Sequence, residues 1–221
     1  MKKLIDRFGR VHDYLRFSVT DKCNLNCVYC NPVDQKLNLL RDHEMLTNEE
    51  SLRLIKIFVE HFGFRKIRFT GGEPLARKNI VNLITELKPL HENCGLDIGI
   101  TTNGTLLKEH LGSLKKSGVT KLNISLDSLD KDKFYKITGK DKFESVMDSI
   151  LMAQEFGFQP LKINCVVMRG INDDEILKFV DFAKDRNMNI RFIEYMPFSG
   201  NKWCEGKFMS YMEIKEIIER Q

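Results

Sequence analysis

Six short apolar runs alternate with stretches of helical periodicity, and that alternation constrains the fold of this chain more than any other feature. The first run is Tyr14 to Thr20, where Leu15, Phe17 and Val19 alternate with Arg16 and Ser18 as strand residues do. Further strands are expected at 65–70, 97–102, 121–126, 161–168 and 189–195. Helical signals fill the gaps. Thr47 and Glu50 form a capping box ahead of Leu52, Ile55, Phe58, Val59 and Phe62 at helical spacing, and Gly63 ends that helix. Helical material is expected from about Lys78 to His91. Asn172 reads as the N-cap of another helix, with Asp173, Asp174 and Glu175 in its first turn. Ser210 and Glu213 cap the last helix, which carries Ile214, Ile217 and Ile218 on one face. Strands alternating with helices predict an α/β fold with a parallel sheet and right-handed crossovers. A doubly wound sheet and a barrel both fit the pattern. Six repeats fall short of the eight that close a standard barrel, which favours an open, partial (βα)6 barrel. No linker, repeat or low-complexity segment interrupts residues 1–221, so one domain is expected.

In such folds the functional residues sit in loops at the carboxyl ends of the strands. Here those loops carry Cys23-Asn-Leu-Asn-Cys27-Val-Tyr-Cys30, Gly71-Gly-Glu-Pro74, Thr101-Thr-Asn-Gly104, Ser125-Leu-Asp127 and Tyr195-Met-Pro197. Three cysteines at CxxxCxxC spacing can turn their thiolates toward one centre. They cannot complete a tetrahedral zinc site alone, and no histidine lies beside them. Three thiolates do suffice to hold a four-iron cluster by three irons, leaving the fourth iron open to a further ligand. The alternatives are a zinc site completed from elsewhere in the chain, or three small loop residues with no ligand role. Gly71 and Gly72 would let backbone approach a ligand closely. Arg16, Arg68 and Lys162 place cations on strands that are otherwise apolar, which is costly unless each meets a partner or an anion. Cys94, Cys165 and Cys204 are isolated and read as buried or incidental thiols, and the five histidines show no ligand spacing. A polar, irregular stretch is expected from Asn31 to about Met45.

Composition narrows the class. The 221 residues are 42% hydrophobic and 30% charged, with a net charge of +4, as expected of a globular chain with one sizeable core. No apolar run approaches the roughly 18 residues of a membrane span. The N-terminus lacks the apolar core and cleavage site of a signal peptide. A cytoplasmic protein with no membrane or nucleic-acid partner is expected.

The cysteine loop after the first strand, joined to Gly71-Gly72-Glu73-Pro74 after the second, resembles the radical S-adenosylmethionine (radical SAM) superfamily. Asp6 to Arg10, Tyr14 to Cys23, Arg68 to Pro74, Thr101 to Gly104, Asn123 to Asp130, Ile137 to Gly139, Lys162 to Asn164, Met168 to Glu175 and Arg191 to Pro197 resemble, more closely, the GTP 3′,8-cyclase family of molybdenum cofactor biosynthesis. The likeness is collinear from about residue 4 onward. It implies a [4Fe-4S] cluster on Cys23, Cys27 and Cys30, whose open iron binds S-adenosylmethionine. Reductive cleavage then supplies a 5′-deoxyadenosyl radical, which takes hydrogen from the ribose 3′ carbon of GTP and leads to 3′,8-cyclo-GTP. It further implies that Tyr29, Gly72, Ser125 and Met196 contact S-adenosylmethionine, and that Arg16, Arg68, Thr101 and Lys162 contact GTP. A reductant protein such as flavodoxin or ferredoxin would serve as partner, and family members are often dimers. The family's C-terminal region, with three further cysteines for a second [4Fe-4S] cluster, finds no match here. The chain is therefore expected to be the radical SAM core of such an enzyme, truncated before that region, which the last helix from about residue 210 would begin. Two rival readings remain: a radical enzyme acting on another substrate such as a peptide, and a non-catalytic iron–sulfur or zinc protein.

Overall fold

The computed structural model describes residues 2–30, 39–184, 186–197 and 201–221. The chain divides into two compact units. The first holds residues 2–23, 39–102 and 106–122; the second holds 24–30, 103–105 and the described residues from Asn123 onward.

In the first unit, a hairpin of two-residue strands pairs β1 (Leu4–Ile5) with β2 (Val11–His12). Parallel strands β3 (Tyr14–Ser18), β4 (Lys66–Thr70) and β5 (Asp97–Thr102) follow. Strand β6 (Val119–Ser125) begins in this unit and ends in the second, where it pairs with β7 (Leu161–Val167), and β7 pairs with β8 (Met188–Glu194). The six parallel strands thus follow chain order, as the βα alternation predicts.

Between the strands run α1 (Asn48–Lys56), α2 (Ile80–Thr85), α3 (Lys88–Cys94) and α4 (Leu107–Lys116) in the first unit. The second carries α5 (Lys131–Thr138), α6 (Phe143–Glu155), α7 (Ile176–Lys184) and α8 (Tyr211–Glu219). Among the described residues no helix is long and apolar enough to cross a membrane. The expected caps are in place at Thr47 and Ser210, each in a full capping box with its glutamate. The expected helix at 78–91 is instead split into α2 and α3, with Pro89 in the first turn of α3, where a missing N–H costs nothing.

Asn172 departs from its expected role. It makes no side-chain cap; a short 3₁₀ turn, Asp173–Glu175, leads into α7, and Asn172 is only 2% exposed. Its amide donates to the carbonyls of Asp127 (2.7 Å) and Val166 (2.9 Å), and its oxygen accepts the Met168 N–H (2.7 Å). Buried backbone groups need partners more than an exposed helix start does. The first part of the expected irregular stretch, 31–38, lies outside the described residues.

Parallel strands covered on both faces usually read as continuous apolar runs. These alternate. In β3 and β4 the side chains of Phe17, Ile67 and Phe69 are buried, while Arg16 is exposed and Arg68 half-buried. In β7, Leu161, Ile163, Cys165 and Val167 are buried and Lys162, Asn164 and Val166 are less so. Each unit therefore has an apolar sheet face in its core and an opposite face bearing polar side chains.

Candidate functional site

In the first unit, register places Arg16 opposite Arg68 and Arg68 opposite Gly99, one row across three strands. Arg68 Nε donates to the Tyr14 hydroxyl at 2.6 Å, and Nη1 reaches Ile100 O at 3.4 Å. The guanidinium lies over Gly99, where an added Cβ would sit 2.9 Å from Nη2. Gly99, which the sequence does not mark, and Tyr14, marked only as a strand residue, thus hold the arginine fork in place. Thr101 is half-buried two residues beyond Gly99 and so on the same face.

The glycine loop sits at the end of β4. Gly72 N–H donates to Thr20 O (2.7 Å) and Glu73 N–H to Lys22 O (2.8 Å). A Cβ at Gly72 would lie 2.8 Å from Asp21 O and would overlap the Lys22 carbonyl; one at Gly71 would overlap the Thr20 carbonyl. Both glycines are thus required by the chain's own backbone, which they let pack against the stem leading to Cys23. Glu73, fully buried, accepts from Leu75 N–H (2.9 Å) and the Thr102 hydroxyl (2.7 Å), tying this loop to the end of β5.

In the second unit the cysteine loop is held by helix α5. Asn26 N–H donates to Thr138 O and Val28 N–H to Ile137 O, both at 2.9 Å, and Cys30 N–H closes a turn onto Cys27 O at 2.9 Å. Tyr29 packs against Ile137, Met168 and Tyr195, with Trp203 beside the same cluster. Its hydroxyl donates to Asp127 Oδ2 at 2.7 Å. Burial raises the Asp127 carboxyl to about 6, although bonds from Tyr29 and the Val166 N–H pull it back down. Burial, with the Asp127 charge behind it, likewise pushes the Tyr29 hydroxyl well above its usual range.

Register further aligns Asn123 with Lys162 and Asn189, and Ser125 with Asn164 and Arg191. Lys162 and Ser125, both half-buried, therefore occupy adjacent rows of one polar face. Asn123 shares that face, is 5% exposed, and its Oδ1 has no hydrogen-bond partner. An orphaned buried acceptor of this kind suits a ligand bearing N–H or O–H groups. Met196 lies beyond β8, 57% exposed, and its carbonyl accepts from Asn201 Nδ2 (2.9 Å), which also reaches Tyr29 O (3.2 Å). Asn123, Asp127, Asn164 and Arg191 all fall within quoted motifs, but only register and contacts reveal their place.

All six cysteines are outside disulfides; Cys23 and Cys27 are half-buried and Cys30 exposed. Cys23 belongs to the first unit and Cys27 and Cys30 to the second. Among the described residues no group of three His, Cys, Asp or Glu side chains is gathered as a metal site. The fit to a cluster rests on donor chemistry: reduced thiols, two of them on one backbone turn, and reachable from solvent.

The model of the radical SAM superfamily matches residues 17–183. The chain belongs to the radical SAM superfamily. Membership carries S-adenosylmethionine and an iron–sulfur cluster as cofactors. The chain is 49% identical over 218 residues to molybdenum cofactor biosynthesis protein 1 of Drosophila melanogaster, spanning 99% of this chain and 38% of that one. It is 48% identical over 217 residues to the GTP 3′,8-cyclase of Thermodesulfovibrio yellowstonii, spanning 98% and 66%. The chain thus covers from about a third to two thirds of such relatives. Among solved structures, Streptococcus suis SuiB bound to S-adenosylmethionine shares this chain's fold, with a TM-score of 0.71 at 19% identity, covering 94% of this chain and 47% of that one.

Proposed function

We propose that this chain forms the radical SAM core of a GTP 3′,8-cyclase in molybdenum cofactor biosynthesis, converting GTP to 3′,8-cyclo-GTP. The observation that carries this reading is the identity of 45–49%, over 98–99% of this chain, to cyclases and to molybdenum cofactor biosynthesis protein 1. Cys23, Cys27 and Cys30 would hold the [4Fe-4S] cluster. Bound there, cluster and S-adenosylmethionine together supply a 5′-deoxyadenosyl radical for hydrogen abstraction.

The remaining work falls to the chain's own groups. Arg16 and Arg68, facing each other across β3 and β4, offer a paired cationic row for a triphosphate, and the Arg68 fork can donate two parallel bonds to it. Thr101 adds a hydroxyl on the same face, and Lys162 a cation on the polar face of the second unit. Gly72, Ser125 and Met196 would contact S-adenosylmethionine beside Tyr29. The apolar cluster around Tyr29 and Tyr195 keeps water from one side of the cysteine turn. A flavodoxin- or ferredoxin-like reductant would supply the electron. A peptide substrate is disfavoured by the arginine row.

Arg68→Ala should weaken GTP binding by roughly 10- to 100-fold, the scale of a lost charge-assisted bond, with iron content unchanged. Calorimetric titration of GTP into the reconstituted protein checks this. Loss of iron with binding intact would place Arg68 in structure and remove it from the substrate site.

A further inference from the structure

The cysteine turn is anchored from outside itself. Tyr29, between Cys27 and Cys30, inserts its ring beside Ile137, Met168 and Tyr195 and places its hydroxyl 2.7 Å from Asp127 Oδ2. Asp127 is 3% exposed and is held on every side available to it. Its Oδ1 accepts the Val166 N–H at 2.8 Å, and its backbone carbonyl accepts the Asn172 amide at 2.7 Å and faces the Cys165 thiol at 3.8 Å. Asn172 in turn is fixed by Met168 and Val166. The carboxylate is therefore a rigid post built into the ends of β6 and β7, and the tyrosine hydroxyl is tied to it.

A buried carboxylate costs free energy unless its hydrogen bonds repay the lost hydration. Strand closure at Val166 requires only an acceptor, which an amide would supply without a charge. What a carboxylate adds is a stronger bond to a neutral donor, and the donor it meets is Tyr29. Nothing in the substrate or cofactor contacts assigned above uses Asp127.

We propose that Asp127 is a positioning residue for the cysteine turn, acting through the Tyr29 hydroxyl to fix where Cys27 and Cys30 present their thiols. This rests on reading those cysteines as cluster ligands. The anchor sets the turn before any cluster forms, so the prepared loop closes on iron without ordering it anew.

The test uses the whole chain in five forms: wild type, Tyr29→Phe, Asp127→Ala, their double variant, and Asp127→Asn as the conservative replacement. Hydrogen exchange at residues 26–30 of the metal-free protein is measured first, because it does not depend on the cluster. Tyr29→Phe and Asp127→Ala should each speed exchange there about tenfold, the scale of one lost charge-assisted bond. The double variant should be no worse than the worse single, and exchange across β7 should be unchanged in Tyr29→Phe. Asp127→Asn should keep most of the protection, its amide donating to the tyrosine oxygen. After anaerobic reconstitution, iron loss to a chelator should quicken in the same order. The change that S-adenosylmethionine induces in the electron paramagnetic resonance spectrum of the reduced cluster should be diminished in that order too. Unchanged exchange in Tyr29→Phe, or additive single effects, would overturn the proposal, as would faster exchange with unchanged iron loss. If wild type takes up no iron, the cluster reading fails and the positioning role with it, while the exchange data alone still report whether the turn is anchored.

Discussion

Gly72→Ala is expected to lower the stability of this protein by about 3 kcal/mol, at the upper end of overpacking costs. For a chain of this size that corresponds to a melting temperature lower by about 10 °C. The reason is geometric. The backbone at Gly72 is not in the left-handed region, so the residue's conformation is open to alanine. The obstacle is the Lys22 carbonyl, backbone with no rotamer to yield, with Asp21 O at 2.8 Å beside it. Relief requires moving the stem of residues 20–22, and that stem leads directly into Cys23. Gly170→Ala is the control. Gly170 has φ +70° but nothing within 4 Å of an added Cβ, so it bears only the conformational cost of about 1–2 kcal/mol. Thermal unfolding of both variants decides the matter. A smaller loss at Gly72 than at Gly170 would show that the stem gives way easily.

Asn172→Leu should cost about 3–5 kcal/mol, in the far tail for a single substitution. Leucine keeps asparagine's branched, four-heavy-atom shape with bulkier methyls, and it leaves the carbonyls of Asp127 and Val166 and the N–H of Met168 without their partner. Each buried group stranded this way costs about 1–3 kcal/mol. Denaturant titration reads the loss, and a change below about 1 kcal/mol would mean that water reaches those groups, contrary to the 2% exposure of Asn172.

Asn172 also shows where sequence reasoning stops. Its place before three acidic residues is an N-cap signal, and the signal is local. What decides its role is a carbonyl 45 residues away, for which no local pattern exists. The same holds for Asp127 and Tyr29, 98 residues apart and joined by one hydrogen bond. The strands were legible because alternation is local and burial enforces it, as Leu15, Phe17 and Val19 alternating with Arg16 and Ser18 shows. The Thr47 and Ser210 caps were legible for the same reason. The hairpin of Leu4–Ile5 with Val11–His12 was not, since two-residue strands carry no period. Gly71 and Gly72 read in the sequence as places where backbone approaches a ligand; the close approach the structure shows there is to the chain's own residues 20–22, which a local reading does not reach. The polar rows of Arg16 with Arg68, and of Ser125 with Asn164 and Arg191, required register, which only pairing supplies.

The central claim is that three cysteines hold a cluster that cleaves S-adenosylmethionine. The direct measurement reconstitutes the chain anaerobically, counts iron and zinc, then adds reductant and S-adenosylmethionine and quantifies 5′-deoxyadenosine. The expected result is about four irons per chain with negligible zinc, as the three-thiolate cluster site requires, and deoxyadenosine that disappears in Cys27→Ala. Tight zinc without iron, or a fully loaded cluster that yields no deoxyadenosine, would contradict the account.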